Sequence, residues 1–178
     1  MIPWSQTLVS ANASSAAFTS NSAADLCPNW DYTFPAAFFA IGTKWRMHAS
    51  GVVATTSSAA TTLTFSVVLG STIITQALGA ITCVTSLGTA TKWWLDIDVE
   101  CRAVGAGTST TFVGTGLFLT STALLAIGFT PLPITGTIAA GTGVSSVATQ
   151  TLTLQGVWST AAGDSLTVEQ YEVVLLQA

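Results

Sequence analysis

The fold is decided by the stretch Lys92-Trp93-Trp94-Leu95-Asp96-Ile97-Asp98-Val99-Glu100-Cys101-Arg102-Ala103. Its odd-numbered positions are all apolar, and its even-numbered positions are all charged apart from Trp94. A helix would mix the two kinds of side chain on every face, whereas a strand places alternate side chains on opposite faces. The stretch therefore predicts a long strand with one buried side and one solvated side.

The same period of two recurs along most of the chain. Between Thr62 and Leu69 every second residue is a large apolar one, and Gly70-Ser71 then predicts a tight II′-type turn into a returning strand. Further strands are predicted at Trp45–Val53, Thr72–Leu78, Thr108–Thr120, Thr149–Trp158 and Leu166–Leu176. Strands joined by Ser, Thr and Gly turns, without a convincing amphipathic helix, predict an all-β antiparallel β-sandwich, with a jelly roll as the preferred form.

Two irregularities within the strands predict local distortion of the sheet. Gly51 is a weak residue for a strand interior and is typical of a bulge. In the last strand the apolar phase slips between Val168 and Tyr171. A slip of this kind predicts a bulge or burial on both faces.

The first forty residues differ from the rest, so we divide the chain into an N-terminal arm, 1–40, and a β-sandwich domain, 41–178. The arm mixes Ser, Ala and Asn with many aromatic residues, whereas disordered tails are poor in aromatics. An extended, aromatic-rich arm is expected to lie over the domain or over a neighbouring subunit. Its candidate interface anchors are Trp4, Trp30 and Phe34. The long connection from Gly128 to Ala148 is a second expected contact with a partner.

Composition limits the environment of the protein. Charged residues make up 7% of the 178 residues and hydrophobic residues 49%, whereas an average chain has about 25% charged residues. So little charge favours a large assembly that covers much of the surface. No stretch approaches the roughly 20 apolar residues of a spanning helix, so no membrane association is expected. Four basic residues form no patch for phosphates, so direct nucleic-acid binding is not expected either.

The sequence contains no recognisable catalytic or metal-binding motif. Cys27, Cys83 and Cys101 are an odd number of cysteines at long spacings, which predicts buried, reduced thiols in a protein folded inside a cell. His48 has neither a nucleophile nor an orienting carboxylate nearby in sequence, which favours a surface or interface histidine. We therefore expect a protein that is not an enzyme, without catalytic residues, a metal or a cofactor.

The charged side of the deciding stretch allows two interpretations. Asp96, Asp98 and Glu100 would lie about 6.5–7 Å apart along one strand face. They could bind calcium if loops supplied more of the about 6–8 oxygens that this ion takes. Lys92 and Arg102 flank them, however, and this favours an ordinary solvated face. Trp93 and Trp158 lie on apolar faces and are expected in the core. Trp94 lies on the charged face and is the fourth interface candidate, since Trp is enriched in interface hot spots.

Four segments together resemble small virion proteins of tailed bacteriophages, whose Ser/Thr/Gly-rich β-sandwich domains decorate capsids or form parts of tails and fibres. The resemblance covers roughly residues 41–177, and the segments are Lys44-Trp45-Arg46-Met47-His48-Ala49-Ser50-Gly51, Thr62-Leu63-Thr64-Phe65-Ser66-Val67-Val68-Leu69-Gly70, Lys92-Trp93-Trp94-Leu95-Asp96-Ile97-Asp98-Val99 and Thr151-Leu152-Thr153-Leu154-Gln155-Gly156-Val157-Trp158. The match is one of pattern, so it transfers no functional residue.

The resemblance implies a non-enzymatic virion structural protein made in the host cytoplasm. The preferred form is a capsid decoration protein, expected as a homotrimer, that binds the major capsid protein or other virion proteins and stabilises the phage head. Its location would then be the capsid surface. The alternative is a tail or fibre component that binds a receptor or glycan on the host surface.

Overall fold

The structure is a computed structural model that describes residues 5–11, 13–56, 61–74, 80–83, 91–120, 129–132, 141–160 and 163–176. These residues form strands and no helix. In chain order the strands are β1 Ser5–Ala11, β2 Ala24–Asp25, β3 Tyr32–Phe34, β4 Lys44–Ala54, β5 Thr61–Leu69, β6 Thr72–Ile73, β7 Ala80–Cys83, β8 Thr91–Ala103, β9 Thr110–Thr120, β10 Phe129–Leu132, β11 Gly141–Val144, β12 Gln150–Trp158 and β13 Ser165–Leu176. The described residues therefore contain no helix that is long and apolar enough to span a membrane.

The strands form two sheets. Within each sheet, neighbouring strands are paired antiparallel throughout. Sheet 1 has the order β1-β13-β4-β8-β9-β10, with β11 also paired to β9. Sheet 2 has the order β2-β12-β5-β6, with β3 also paired to β12 and β7 to β5. The predicted all-β sandwich is therefore confirmed. The pairs β4–β13 and β5–β12 lie in opposite sheets. In chain order the described strands change sheet six times, whereas β8 and β9 form a hairpin within sheet 1.

The deciding stretch has the predicted alternation. In β8, the side chains of Trp93, Leu95, Ile97, Val99 and Cys101 are at most 1% exposed. In β5, Leu63, Phe65, Val67 and Leu69 are equally buried from the other sheet. These two rows face each other across the sandwich and form the centre of the core, because burying apolar surface is the main favourable term in folding.

Aromatic rings fill both ends of this core. At one end, Phe39 lies 5.2 Å from Phe112 and Trp45 lies 5.4 Å from it, between ring centroids. At the other end, Phe65 and Phe118 are 5.4 Å apart. Tilted and edge-to-face ring pairs of this kind add about 0.5–1.5 kcal/mol each to the contribution of the buried area. Trp93 and Trp158 are in the core, as predicted, at 0% and 1% exposure.

The turn and the bulge predicted from the sequence are both present. Gly70 has φ +62°, which is the positive value that the first central residue of a II′ turn requires. The returning strand is β6, which ends at Ile73, and positions 75–78 of its predicted length lie outside the described residues. In β13 the register shifts between Val168 and Gln170, opposite Gly51 and Ser50 of β4. A Cβ on Gly51 would overlap the carbonyl oxygen of Thr167, so glycine is what allows β13 to approach β4 at the bulge.

The N-terminal segment is built into both sheets from residue 5 onward. Strand β1 pairs with β13, β2 and β3 pair with β12, and Phe18 forms a bridge with Leu166. Phe34 is 0% exposed, and its ring lies 5.5 Å from that of Trp45. Its interface assignment is therefore corrected: the pairing of β3 with β12 turns Phe34 into the chain's own core. Trp30 is half-buried and stacks on Tyr171 at 6.4 Å. Trp4 lies outside the described residues.

The three cysteines are free and buried, as predicted. Burial is the main cause that raises the pKa of each thiol, for Cys83 to about 12. Their thiolate forms are therefore disfavoured near neutral pH, and each side chain acts as a small apolar group in the core.

Candidate ligand groove at Trp94

Most of the charge of the chain lies on one surface, the outward face of sheet 1. This face carries all four Lys and Arg residues, His48 and five of the eight acidic residues. The pairs are Lys44–Asp98 at 3.3 Å, Arg46–Asp98 at 2.9 Å, His48–Asp96 at 3.0 Å, Lys92–Glu169 at 2.8 Å and Arg102–Glu100 at 3.4 Å. We call this surface the charged face.

The carboxylates that could have bound calcium each contact a cationic side chain or a histidine. Arg46 donates to both oxygens of Asp98, at 2.9 and 3.1 Å. Burial alone would raise the pKa of Asp98, but the hydrogen bond and charge of Arg46, together with Lys44, lower it overall. Within the described ranges, no three His, Cys, Asp or Glu side chains are placed to hold a metal ion. This arrangement favours the solvated-face interpretation.

His48 has an orienting carboxylate that sequence reasoning missed. The register of β4 with β8 places it opposite Asp96, and its Nδ1 lies 3.0 Å from Asp96 Oδ1. The nearest hydroxyl along β4 belongs to Ser50, which donates to Gln170 Oε1 at 3.1 Å and not to His48. Among the described residues, His48 is hydrogen-bonded to Asp96 and to no hydroxyl that could serve as the activated nucleophile of a catalytic triad.

One end of the charged face contains a groove of about 490 Å³. It lies where the bulge of β13 meets β4 and β8, beside the segment that follows β1. The residues that line it are Ser14, Ser50, Gly51, Lys92, Trp93, Trp94, Glu169 and Gln170. Trp94 is 40% exposed, which is unusual for so large an apolar side chain. The prediction that Trp94 is exposed is confirmed, while its role in an interface stays a prediction.

Strand register sets the order of the groove residues. Gln170, Ser50 and Trp94 form one row across β13, β4 and β8, since each is paired with the next. The hydroxyl of Ser50 donates a hydrogen bond to the amide oxygen of Gln170. This fixes the amide and directs its NH₂ group away from Ser50, where it can serve as a donor to a ligand.

The bulge supplies the second polar element of the groove. Glu169 is the unpaired residue of the register shift, and it reaches Lys92 at 2.8 Å. Without the extra residue, β13 would continue its alternation and Glu169 would point to the opposite side from Gln170. The phase slip in the sequence predicted the bulge, but it gave no indication that Glu169 and Lys92 would meet.

On the other side of Trp94 the surface is apolar. Trp94 is paired with Leu119 of β9, and Asp96 is paired with Leu117. Both leucines are half-buried on the outward side. Trp94 therefore lies between a polar groove and an apolar strip, an arrangement that suits a ligand with both polar edges and an apolar face.

A second cluster of titratable groups lies at the β2 edge of sheet 2. Asp25 Oδ1 accepts a hydrogen bond from the backbone N–H of Cys27 at 2.8 Å, and the Asp25 side chain is also hydrogen-bonded to Asp31. Burial, then the charge and hydrogen bond of Asp25, raise the pKa of Asp31 to about 7. The Asp31 carboxyl group therefore holds its proton up to near-neutral pH.

Comparison with known proteins leaves the chain without a family. No protein-family model and no curated protein matches it. Among solved structures it is similar to the CBM2 module of an evolved Dit of Lactobacillus casei BL23 phage J-1. That similarity has a TM-score of 0.41 and 10% identity over 100% of this chain and 99% of the other.

Proposed function

We propose that this chain is a non-enzymatic structural protein of a phage virion that binds a carbohydrate of the host surface in the Trp94 groove. The observation that carries the proposal is the 40% exposed indole of Trp94 beside fixed polar side chains. A sugar ring has C–H groups on its faces and hydroxyls on its edges. An indole offers a flat apolar surface for the first, and the groove offers donors and acceptors for the second.

The groove is better suited to binding than to bond cleavage. Glycosidases place two carboxyl groups on either side of the scissile bond. The residues that line this groove contribute one carboxylate, Glu169, and it forms an ion pair with Lys92. The sequence resemblance to phage virion proteins and the low charged fraction of the chain support a structural role.

The test is affinity electrophoresis of the purified protein through native gels that contain bacterial surface polysaccharides, both neutral and acidic. We expect at least one polysaccharide to retard the wild-type protein, and Trp94→Ala to weaken the interaction at least about tenfold, or about 1.4 kcal/mol. Ile41→Ala is the matched control, since Ile41 is 70% exposed but precedes β4 at its far end from the groove. Equal retardation of the two variants, or none of the wild type, would contradict the proposal.

Capsid decoration is the second candidate, and the outward face of sheet 2 favours it. The outward side chains of β5 and β12 are uncharged: Thr62, Thr64, Ser66, Val68, Thr151, Thr153, Gln155 and Val157. We call this surface the hydroxyl face. Interface cores are depleted in charged residues, because burying an unpaired charge is unfavourable. In this role the hydroxyl face would contact the major capsid protein, and the protein would act as a homotrimer.

Co-sedimentation with empty phage heads tests this second candidate. Thr64→Lys would place a charge in the centre of the hydroxyl face and should abolish co-sedimentation. Thr115→Lys, on the exposed outward side of β9 in sheet 1, should leave it unchanged. Native mass would give the oligomeric state independently. Full binding by Thr64→Lys would exclude the hydroxyl face as the capsid contact.

A further inference from the structure

We infer that the Trp94 groove selects uncharged sugars and rejects polysaccharides that carry carboxylate or phosphate groups. This inference rests on the proposed function and adds the class of ligand. Its basis is the charge arrangement around Trp94. The groove is lined by one cation, Lys92, and one anion, Glu169, which are 2.8 Å apart. Lys92 is thus already neutralised by a protein group.

A third charge beyond the groove lining adds to the negative side. Asp96 is the next outward residue after Trp94 on β8; its Oδ1 lies 3.0 Å from Nδ1 of His48, and its side chain is still 49% exposed to a ligand. Glu169 and Asp96 therefore lie on two sides of the indole. A carboxylate or phosphate on a ligand stacked on Trp94 would approach both of them. Like charges at contact distance repel, and the repulsion is weakened but not removed by solvent.

An acidic ligand could gain a cation only by displacing Glu169 from Lys92. The displaced carboxylate would lose its partner, so the exchange gives little net gain. A sugar hydroxyl avoids this exchange because it can both donate and accept a hydrogen bond. It can donate to Glu169, or accept from Lys92 or from the amide of Gln170, without breaking the ion pair.

The apolar side of the site adds a second requirement. Leu119 lies beside Trp94 in the pairing of β8 with β9. A ligand stacked on the indole therefore also covers an aliphatic side chain, and C–H groups of a neutral ring suit this position better than a hydrated anion. The volume of about 490 Å³ is within the usual range for small-ligand sites, about 300–1,000 Å³, and accommodates a short oligosaccharide.

The experiment uses the full chain and matched pairs of polysaccharides. Each pair is a neutral polymer, such as dextran or a galactan, and the same polymer after partial carboxymethylation. Affinity electrophoresis gives a dissociation constant for each member. We expect carboxymethylation to weaken binding at least about tenfold at low ionic strength, and high salt to reduce the difference.

Two variants assign the discrimination to the groove. Glu169→Gln removes the negative charge but keeps a hydrogen-bonding side chain, and it should reduce the tenfold difference to about threefold or less. Glu172→Gln changes the net charge by the same amount on the same face, outside the groove lining, and should keep the difference. Thermal unfolding of each variant verifies that it is folded.

The outcomes separate the two proposals. If neutral polymers bind, the binding depends on Trp94 and the acidic derivatives bind more weakly, both proposals are supported. If binding depends on Trp94 but acidic derivatives bind equally or more tightly, the inference is overturned and the proposed function stands. If no polymer of either kind binds, both are overturned.

Discussion

The two sheets of this sandwich have similar inward faces and very different outward faces. The charged face of sheet 1 carries every Lys and Arg of the chain, and all four form ion pairs with carboxylates. The hydroxyl face of sheet 2 carries Thr, Ser, Gln and Val side chains. Strand alternation requires only that the outward residues tolerate water. The physical consequence is that covering the charged face would bury paired charges, whereas covering the hydroxyl face would bury no charge.

The largest effect is expected where a new Cβ would meet backbone. In Gly51→Ala the methyl group would overlap the carbonyl oxygen of Thr167, so the bulge of β13 must move. We expect this to lower the free energy of unfolding by about 3 kcal/mol. Gly156→Ala in sheet 2 is the matched control, because its methyl group would meet the end of the Leu26 side chain at 2.8 Å, which can shift. Urea unfolding should show the larger loss for Gly51→Ala. A larger loss for Gly156→Ala would contradict the role given to the bulge.

The ion pairs of the charged face are the next test. Asp98→Ala leaves Arg46 and Lys44 without their common partner, and we expect a loss of about 1–2 kcal/mol in the free energy of unfolding. Thr64→Ala on the hydroxyl face should change it by no more than about 0.5 kcal/mol. Equal effects in chemical denaturation would mean that the charged face contributes no more to stability than the hydroxyl face.

One hydroxyl group of the hydroxyl face, that of Thr153, is expected to lower the stability of the folded protein. Thr153 Oγ1 is buried without a hydrogen-bond partner in the described part of the chain. Thr153→Val should therefore stabilise the protein by about 1 kcal/mol. Thr151→Val, on the same strand and face, removes a hydroxyl that is 3.1 Å from Thr33 Oγ1 and should be neutral or slightly destabilising. The measurement is the thermal unfolding midpoint of each variant relative to wild type. A midpoint of Thr153→Val below that of wild type would show that the Thr153 hydroxyl has a hydrogen-bond partner.

The smallest effect is a pH dependence of opposite sign at two sites, the Asp25–Asp31 pair at the β2 edge of sheet 2 and Asp98 on the charged face. Burial and Asp25 raise the pKa of Asp31 to about 7, so the folded state holds a proton that the unfolded state releases near pH 4. This contribution to stability is present at acidic pH and is lost as the pH rises to about 7. Asp98, whose pKa is lowered, contributes above its unfolded pKa and loses this contribution only in acid.

Asp31→Asn tests this sign. The variant should gain stability relative to wild type on going from pH 5 to pH 8, as measured by urea midpoints at the two pH values. A difference between variant and wild type that does not change with pH would exclude a raised pKa for Asp31.

Local alternation was sufficient to predict much of the fold. It placed Trp93 inside and Trp94 outside, because neighbouring residues of a strand always point to opposite faces. It could not place Phe34, which belongs to a three-residue strand with too few positions to show a period. The neighbouring Thr33 pairs with Thr151, 118 positions later, so only the fold determines which way β3 faces.

The groove was only partly predictable for the same reason. The phase slip at Val168 to Tyr171 indicated a bulge, and Trp94 stood out on a charged strand face. The contact between Lys92 and Glu169 depends on the bulge reaching across from β13 towards β8, with β4 between these strands in the sheet. Strand order is a property of the whole chain, and pairwise spacing in the sequence does not contain it.

The pairing of β1 with β13 determines how the domain would respond to a mechanical load. Ser5 lies opposite Leu176, so the first and last described residues are at the same end of one antiparallel strand pair. Tension applied at Ser5 and Leu176 would load the hydrogen bonds between β1 and β13 one after another, so β1 would separate from β13 progressively from this end. The bridge of Phe18 with Leu166 lies further along β13, next to the core, and would be reached only after β1 had been released. A domain held at residues 5 and 176 would therefore extend at low force by releasing β1, while the rest of the sandwich and its groove stayed folded.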